Sequence, residues 1–400
     1  MTAAPLEGVK VLDLTRALSG PMCTALLSDM GADVVKVEPF GGEETRNWPP
    51  MSDNLSLYWA SINRGKRSIE LDTRTADGKE VLRRLARGVD VIVENYRPGV
   101  LRRVGLDIEE LRAENPRLVV ASISGHGPVG PLRDVPGLDQ IAQGMSGLMS
   151  VTGAGDQTPM RVGVPIVDTL AGIFAALAVS AAVAGAERTG EGAIVQTSLL
   201  EAAMAVMSFQ AQGYLTTGVV PEPEGTEHPV VAPYGVFATR DDPINIAAAT
   251  ESQWKSLCGV LGAADLLTRG EFADRGARLR HRSELTAELE TYLRERPALE
   301  WITLIRDAGV PCGPIHRMDQ VFADPQIQAI GMVQNVTAND GSELAMVRGP
   351  LWFDGQPTPI RSHPPACGAH TLEILLEAGL SQDEVTTLRS SGALRPEEDQ

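Results

Sequence analysis

The first half of the chain alternates short β-branched runs with amphipathic stretches. Side chains on a strand alternate every two residues, whereas one face of a helix repeats about every 3.6 residues, so the two patterns can be told apart. The predicted strands are 9–14, 33–38, 89–94 and 118–124, and the predicted helices are 22–30, 77–87 and one beginning at 100–104. Such alternation is typical of βαβ units around a parallel sheet, where ligands bind beyond the carboxyl ends of the strands.

A break in this pattern precedes a second, smaller domain. Residues 218–233 are rich in Pro, Gly and Glu and indicate a loop or linker. The elements predicted after it are a hairpin over 234–248 and helices over 252–262, 283–295, 298–308, 371–378 and 381–390. We therefore expect an α/β protein with a large domain over 1–215, a small α+β domain over 225–325 and a return segment over 326–400.

One acidic residue stands at the start of the most apolar stretch. Asp168 follows Arg161-Val-Gly-Val-Pro-Ile-Val167, and no charged side chain appears again until Glu187. A carboxylate in this place is partly desolvated and needs a partner or a purpose. It could cap a helix, because Asp is favoured at the N-cap and offsets the helix dipole. It could instead attack an acyl carbon as a nucleophile.

The uncharged run over 169–186 approaches the length of a membrane span. It stands alone, is rich in Ala and Gly, and lacks a flanking basic cluster or aromatic belt. We therefore predict a helix that is buried on all sides, and no membrane partner.

Charge and composition exclude several functions. The net charge of −17 argues against nucleic acid and anionic membranes as partners. Residues 1–103 hold 15 Lys/Arg and 14 Asp/Glu, so this near-neutral part would meet an anionic ligand most easily. The four cysteines show no CxxC spacing and the six histidines no HxH or HExxH pairing, which argues against a metal site or disulfides.

Cofactor and targeting motifs are missing as well. The first predicted strand is followed by Thr15-Arg-Ala-Leu-Ser-Gly-Pro21 rather than GxGxxG, and GxxxxGK[ST] does not occur. We expect no permanently bound cofactor. The first residues, MTAAPLEG, do not form a signal peptide, so we expect a cytoplasmic protein.

Several separated segments together resemble the family III coenzyme A transferases (CaiB/BaiF), which include formyl-CoA transferase and carnitine-type enzymes. Each segment is weak alone, but they occur in the family's order along essentially the whole chain. They are 6–16 (LEGVKVLDLTR) with Gly20-Pro21, 31–38 (GADVVKVE), 63–72 (NRGKRSIELD), 94–99 (ENYRPG), 125–127 (GHG) with Gly130-Pro131, 136–139 (PGLD), Asp168 with Gly172, 308–315 (AGVPCGPI) and 368–371 (GAHT).

The resemblance implies a covalent mechanism. Asp168 matches the carboxylate that attacks the acyl-CoA thioester, giving an aspartyl-acyl anhydride and then an aspartyl-CoA thioester. CoA and acyl-CoA are substrates, and the family's CoA-contacting positions match Arg16, Ala17, Leu71, Arg74, Asn95, Tyr96, Arg97, Arg103 and Leu138. Arginine suits this task because its guanidinium binds phosphate with forked donors.

Three further residues are candidates for supporting the nucleophile. Asp139 corresponds to a second carboxylate, which orients the site or polarises acyl groups, or else makes a structural hydrogen bond. The family often shields the anhydride with a run of glycines. This chain has Glu224-Gly-Thr-Glu-His-Pro229 instead, so Gly225 and His228 are the candidates for that loop.

The resemblance also implies an assembly and a class of acid. Family members have a Rossmann-like large domain, a small domain and a C-terminal return, and they form interlocked homodimers. The segments 44–48 (ETRNW) and 225–229 (GTEHP) are similar to those of members that act on dicarboxylates such as succinate. Arg46 could pair with the second carboxylate of such a substrate.

Two alternatives remain. Relatives on this fold racemise 2-methylacyl-CoA with a His and an Asp, but this chain has Leu138 where the racemase pattern has His. Leu138 cannot accept a proton, and His126 lies twelve residues earlier at a position that is usually aromatic. A catalytically silent CoA-binding protein is the other alternative, and the intact surroundings of Asp168 argue against it.

Overall fold

A computed structural model describes residues 4–154, 158–338 and 340–396. The chain forms two compact units. The first comprises Met1–Leu148, Arg161–Val219 and Gly331–Gln400, and the second Met149–Met160 and Val220–Ile330. Residues 149–160 fall inside the range predicted for the large domain but belong to the second unit. The reason is local packing: a Cβ on Gly225 would lie 3.8 Å from the carbonyl of Ala154.

The first part of the chain builds most of the large sheet. Its elements are β1 (Lys10–Asp13), α1 (Ser19–Asp29), β2 (Asp33–Glu38), β3 (Met51–Ser52), β4 (Leu55–Ser56), α2 (Leu57–Asn63), β5 (Arg67–Glu70), α3 (Ala76–Arg87), β6 (Val91–Glu94), α4 (Val100–Arg103), α5 (Ile108–Glu114), β7 (Val119–Ser124), α6 (Asp139–Met145), α7 (Ile166–Thr189), β8 (Ile194–Ser198), α8 (Leu199–Val206) and α9 (Ser208–Thr217).

The remaining elements lie in the second unit and in the return to the first. The second unit holds β9 (Tyr234–Phe237), β10 (Ile244–Ala247), α10 (Glu251–Leu261), α11 (Arg275–Arg280), α12 (Arg282–Leu293), α13 (Ala298–Asp307), β11 (Cys312–Pro314), α14 (Met318–Ala323) and α15 (Pro325–Ala329). The return holds β12 (Val333–Thr337), β13 (Glu343–Val347), β14 (Trp352–Phe353), β15 (Gln356–Pro357), α16 (Thr371–Glu377) and α17 (Gln382–Ser390).

The large sheet is six-stranded, parallel, and ordered β5-β2-β1-β6-β7-β8. This confirms the predicted α/β fold with a parallel sheet. The sequence pattern missed β5 and β8, which are the two edge strands. Strand β5 reads Arg-Ser-Ile-Glu with a single aliphatic residue, and β8 is partly exposed, so neither shows an apolar run.

Helices cover both faces of this sheet. On one face, Val11, Val91 and Val119 share a core with side chains of α1, α7 and α8. On the other face, Leu12 and Ile92 share a core with side chains of α3, α5, α16 and α17. Alternate residues of each buried strand therefore supply opposite cores, as a doubly covered parallel sheet requires.

The second unit has its own core. Its antiparallel sheet is ordered β11-β10-β9, and the hairpin of β9 and β10 was predicted. Buried Trp254, Leu289 and Trp301 bring α10, α12 and α13 together over this sheet. The unit therefore does not depend on the large sheet for a hydrophobic core.

Helix α1 begins earlier than predicted. The residues 19–21 were expected to form a turn before a helix at 22, but α1 starts at Ser19. Proline is tolerated in the first turn of a helix because its missing N–H would be unpaired there anyway. Pro21 therefore marks the start of α1 and not the turn that precedes it.

Helix α7 differs from the prediction in its burial. Among the described residues it is the one helix with the length and apolarity of a membrane span, with a mean hydropathy of 2.1 over an 18-residue window. One face packs into the core through Ala171, Ala175 and Val179. The helix is not buried on all sides, because Ile173 is 42% and Leu177 is 65% exposed.

Candidate active site

A cavity of about 220 Å³ opens at the carboxyl edge of the large sheet. Six separate segments of the chain line it, and six of the lining residues are predicted site residues. The predicted residues that line it are Ala17, Asn95, Tyr96, Arg97, Leu138 and Asp168. Ligand pockets usually measure about 300–1,000 Å³, so this one suits the reacting end of a larger molecule.

The loop after β1 and the loop after β6 are tied to each other. The backbone N–H of Arg16 donates to Oδ1 of Asn95 at 2.8 Å, and Nδ2 of Asn95 donates to the carbonyl of Arg16 at 2.7 Å. The Arg16 guanidinium lies 5.5 Å from the centre of the Tyr96 ring. Arg16 was predicted separately from Asn95 and Tyr96, and the adjacency of β1 and β6 places the three side by side.

Asp168 does not cap its own helix. The N-cap of α7 is Pro165, and Asp168 is the third residue of the helix. The capping interaction is supplied by Asp139, whose Oδ1 accepts from the backbone N–H of Val167 at 2.8 Å and of Asp168 at 3.3 Å. The capping alternative considered for Asp168 is therefore wrong, and its side chain lines the cavity.

Asp139 is itself held by the same segment. Its Oδ2 accepts from Nε2 of Gln143 at 2.6 Å, and Oε1 of Gln143 accepts from the backbone N–H of Val162 at 2.9 Å. Both residues lie on α6, so one short helix fixes the chain on either side of the turn that leads into α7. The structural hydrogen bond expected as one role of Asp139 is present, and it orients the backbone of Asp168.

The electrostatic surroundings of Asp168 disfavour its charged form. Burial raises the pKa of this carboxyl to about 7, with the negative charge of Asp139 as the second cause. A hydrogen bond from the Ser19 hydroxyl acts in the opposite direction. A carboxylate with a pKa near neutral pH at a cavity wall is a functional-site candidate, because such shifts cluster where chemistry occurs.

Two close backbone approaches shape the walls. A Cβ on Gly125 would lie 2.5 Å from the Cα of Gly137, so the two ends of the segment that joins β7 to α6 contact each other backbone to backbone. A Cβ on Gly172 would lie 2.6 Å from the carbonyl oxygen of Ser19. The absent side chain of Gly172 therefore lets the start of α1 reach the first turns of α7.

A buried ionic cluster, consisting of Asp13, Lys36, Glu43 and Lys66, lies beneath the loop after β1. Nζ of Lys66 is 2.9 Å from Oδ2 of Asp13, and Nζ of Lys36 is 3.3 Å from Oε1 of Glu43. Burial opposes ionisation of Asp13, but the charges of Lys36 and Lys66 outweigh it and hold the pKa of Asp13 below its usual range. Burial lowers the pKa of Lys66 to about 8 despite the attraction of Asp13.

Leu71, Arg74 and Arg103 lie outside this cavity. Leu71 is buried, whereas the Arg74 side chain is 88% exposed and pairs with Asp72 at 2.8 Å. Leu71 and Arg74 follow β5, which is three strands away from β6 in the large sheet, and they lie at the same edge of that sheet. At about 4.8 Å per strand they are roughly 14 Å from the loop of Asn95, a spacing that suits an elongated ligand. Arg103 is exposed at the end of α4.

The structure places Gly225 and His228 in the second unit. Gly225 has a positive φ of 63°, and the His228 ring stacks on Tyr234 with ring centres 4.8 Å apart. The backbone N–H of His228 donates to the carbonyl of Tyr234 at 2.9 Å. Their expected role in shielding an intermediate stays a prediction.

Arg46 is engaged within the protein. Its Nε and Nη2 donate to Glu38 at 2.7 and 2.5 Å, and its guanidinium lies 3.6 Å from the centre of a Trp59 ring. The expectation that Arg46 pairs with a substrate carboxylate is therefore not supported, because a buried partner already holds both sides of the guanidinium fork.

Sequence reasoning missed two residues near Asp168. Ser19 was assigned to a turn, although it lies after the carboxyl end of β1, where ligands of parallel sheets bind. Tyr58 lies on α2, and burial raises its pKa to about 12 with the charge of Asp168 as the next cause. The position of Ser19 could have been predicted from Pro21 as a helix start, but the sequence carries no signal for Tyr58.

Comparisons with known proteins agree with this geometry. The model of CoA-transferase family III matches residues 6–371. The chain belongs to this family. It is 39% identical over 381 residues to the succinate–glutarate CoA-transferase of Agrobacterium fabrum, covering 93% of this chain and 95% of that protein. It is 35% identical over 375 residues to the human succinyl-CoA:glutarate CoA-transferase, covering 93% of this chain and 86% of that protein.

A solved structure shares the fold as well. The crystal structure of a CaiB/BaiF family protein from Brucella suis aligns with a TM-score of 0.84 and 36% identity, covering 94% of this chain and 100% of that one. The protein is thus a family III CoA-transferase. The Agrobacterium fabrum and human relatives carry transferase names, which favours transfer over racemisation and over a silent CoA-binding role.

The raised pKa of Asp168 predicts that its ionisation lowers the free energy of unfolding of the protein as pH rises. In the folded protein this carboxyl ionises near pH 7 and in the unfolded chain near 3.8, so its contribution to stability falls as pH rises between those values and stays low above them. We expect Asp168→Asn to unfold at a temperature a few degrees above that of the wild type at pH 8. The difference should shrink toward pH 5, as measured by differential scanning fluorimetry.

The matched control is Asp319→Asn, which changes an exposed aspartate of α14. This variant should show no such gain at either pH. A gain for Asp168→Asn of equal size at pH 5 and pH 8 would contradict the assignment of the raised pKa.

Proposed function

We propose that the protein moves CoA from an acyl-CoA thioester to a free carboxylic acid through covalent intermediates on Asp168. The observation that carries this proposal is the Asp168 carboxyl, which lines the cavity with a pKa near 7. Asp139 supplies the cap of α7, so the side chain of Asp168 has no capping role there. Family membership supports CoA as the group transferred.

The chemistry follows from the carboxylate. An oxygen of ionised Asp168 attacks the thioester carbonyl, the C–S bond breaks, and CoA leaves as a thiolate, which gives an aspartyl-acyl anhydride. The thiolate then attacks the aspartyl carbonyl, releases the first acid as a carboxylate, and gives an aspartyl-CoA thioester. The acceptor carboxylate repeats the two steps in reverse, so that CoA ends on the acceptor and Asp168 is restored.

The site geometry supports this sequence of steps. Partial desolvation makes the carboxylate more basic, and thus a better nucleophile once it is ionised. Holding carboxylate and thioester together can be equivalent to an effective concentration of about 10⁵–10⁸ M. Contacts to a distant nucleotide can also be used to stabilise the transition state at the reacting carbon. The exposed Arg74, Arg97 and Arg103 are suited to binding the phosphates of CoA.

The first test is the covalent adduct. We expect acyl-CoA to leave CoA joined to Asp168, and hydroxylamine to convert that thioester to a hydroxamate on the peptide that contains residue 168, visible by mass spectrometry. Asp168→Ala should lose transfer by at least about 10³-fold while it still binds CoA, because only the nucleophile is removed. Asp319→Ala is the control and should keep wild-type activity.

Transfer at the wild-type rate by Asp168→Ala would disprove the mechanism. Deuterium wash-in at the α-carbon of a 2-methylacyl-CoA without an acceptor acid would instead favour the racemase alternative.

We also propose that the acids exchanged are dicarboxylates such as succinate. The support is the similarity to two transferases whose names specify succinate or succinyl-CoA and glutarate. A chromatographic assay with a panel of donor thioesters and acceptor acids tests this. We expect kcat/KM for succinyl-CoA with glutarate to exceed that for monocarboxylates of equal length by more than about tenfold, because a site that hydrogen-bonds a second carboxylate leaves its donors unpaired when the acid lacks one. Equal rates with monocarboxylates would contradict it.

We propose further that the protein is a homodimer, interlocked as in the family. Large apolar side chains are exposed along α7, α8 and α9 in a single chain, which is typical of a surface that another chain covers. They include Ile173, Leu177, Met204, Phe209 and Leu215, which are 42%, 65%, 46%, 51% and 77% exposed.

A charged substitution tests the dimer. Leu177→Asp should shift the protein from dimer to monomer or abolish its assembly, as measured by analytical ultracentrifugation, because it would bury an unpaired carboxylate. Leu299→Asp changes a leucine that is 77% exposed in the second unit and should leave the dimer unchanged. A monomeric wild type at micromolar concentration would refute the proposal.

A further inference from the structure

Ser19 and Asp168 line the same cavity, and the interaction of the Ser19 hydroxyl with the Asp168 carboxyl acts to lower the pKa of that carboxyl. Ser19 is only 5% exposed, lines the same cavity, and is the first residue of α1. We propose that Ser19 is a positioning residue, which stabilises the ionised carboxylate of Asp168 and directs its attacking oxygen into the cavity. This inference rests on the proposed role of Asp168 as the nucleophile.

The contact between α1 and α7 fixes where this hydroxyl can lie. Gly172 lies one turn after Asp168, and a Cβ there would approach the carbonyl oxygen of Ser19 to 2.6 Å and Cβ of Met22 to 2.9 Å. The two helices are therefore as close as their backbones allow at this level. Any side chain at 172 would push Ser19 away from Asp168 without changing either residue.

The buried ionic cluster holds the other side of Ser19. Nζ of Lys36 donates to the carbonyl of Thr15 at 2.9 Å, and Nζ of Lys66 donates to the carbonyl of Pro21 at 3.1 Å. The loop that ends in Ser19 is thus held by a buried ammonium group on each side. Hydrogen bonds from a charged donor are stronger than those between neutral groups, which favours a single loop conformation.

Glu43 adds a third tether inside the loop. Its Oε2 accepts from the backbone N–H of Ala17 at 3.3 Å, and Ala17 has a φ of 63°. A non-glycine residue in this left-handed region is strained and persists only when its surroundings hold it there. The tethers on residues 15, 17 and 21 therefore define the position of Ser19 between them.

The carboxylate needs such a donor for a chemical reason. Burial and the charge of Asp139 both favour the protonated form of Asp168, and a protonated carboxyl is a poor nucleophile. A hydroxyl that donates to one carboxylate oxygen stabilises the anion and leaves the other oxygen to attack. When CoA thiolate later attacks the aspartyl carbonyl, the same hydroxyl can donate to the oxygen on which negative charge develops.

The pH profile of Ser19→Ala tests the inference. Without the hydroxyl the pKa of Asp168 should rise, so the acid limb of the kcat/KM profile should move up by about one pH unit. At pH 6 this shift corresponds to a decrease of about tenfold in kcat/KM, and the decrease should become smaller toward pH 9. Ser28→Ala is the matched control, because it removes another buried hydroxyl of α1, which donates to the carbonyl of Gly65 at 2.8 Å. Its acid limb should stay at the wild-type pH.

Gly172→Ala provides an independent variant that keeps the hydroxyl. We expect the same displacement of the acid limb, and the double variant with Ser19→Ala should show little further displacement, because both changes break one contact. Thermal unfolding of each variant reports whether the fold is retained. If one of the two variants fails to fold, the acid limb of the other still tests the role of Ser19.

The outcomes separate this inference from the proposed function. A loss of activity in Ser19→Ala that is equal at pH 6 and pH 9 would show a structural role only and would overturn the inference. A wild-type profile in Ser19→Ala together with a CoA adduct on Asp168 would overturn the role of Ser19 alone. Transfer by Asp168→Ala would overturn both.

Discussion

The site depends on one interaction, in which the Asp139 carboxylate accepts the backbone N–H groups that begin α7. A helix start leaves such donors unpaired, and a carboxylate satisfies them while it offsets the helix dipole. Because Asp139 takes this task, the side chain of Asp168 turns to the cavity with no capping role. The same arrangement brings two carboxylates close together, and their repulsion adds to burial in raising the pKa of Asp168. The hydrogen bonds that begin α7 and the raised pKa of the Asp168 carboxyl thus have a common origin.

The buried ionic cluster beneath the loop after β1 fixes the conformation of that loop. Lysine and aspartate are seldom buried unless they are paired, and Asp13, Lys36 and Lys66 satisfy one another away from solvent. Hydrophobic side chains could fill that space, but they could not bind the carbonyl groups of Thr15 and Pro21. The ionic cluster therefore gives the loop a defined conformation, and this loop delivers both Ala17 and Ser19 to the cavity.

The parallel sheet explains why distant segments meet. Every crossover returns the chain to the same end, so the loops after β1, β6 and β7 all open at one edge. Residues 1–103 supply most of the candidate CoA contacts and are nearly neutral, whereas the rest of the chain carries the excess negative charge. The candidate CoA contacts therefore lie in the part of the chain that would repel an anionic ligand least.

The sequence by itself determined the parallel α/β fold, the hairpin of the second unit and most helices. The spacing of apolar residues in these elements indicates which face of each one is buried. It also singled out Asp168, since an isolated carboxylate before an apolar run is unusual. Only the tertiary structure decided that Asp139 caps α7, that Gly172 brings Ser19 to Asp168, and that Arg46 is occupied by Glu38. These contacts join residues that are 8 to 153 positions apart, measured as 46 minus 38 and 172 minus 19. Local sequence patterns do not predict these contacts, because the periodicity of a segment depends on its own burial and not on which distant residue it meets after folding.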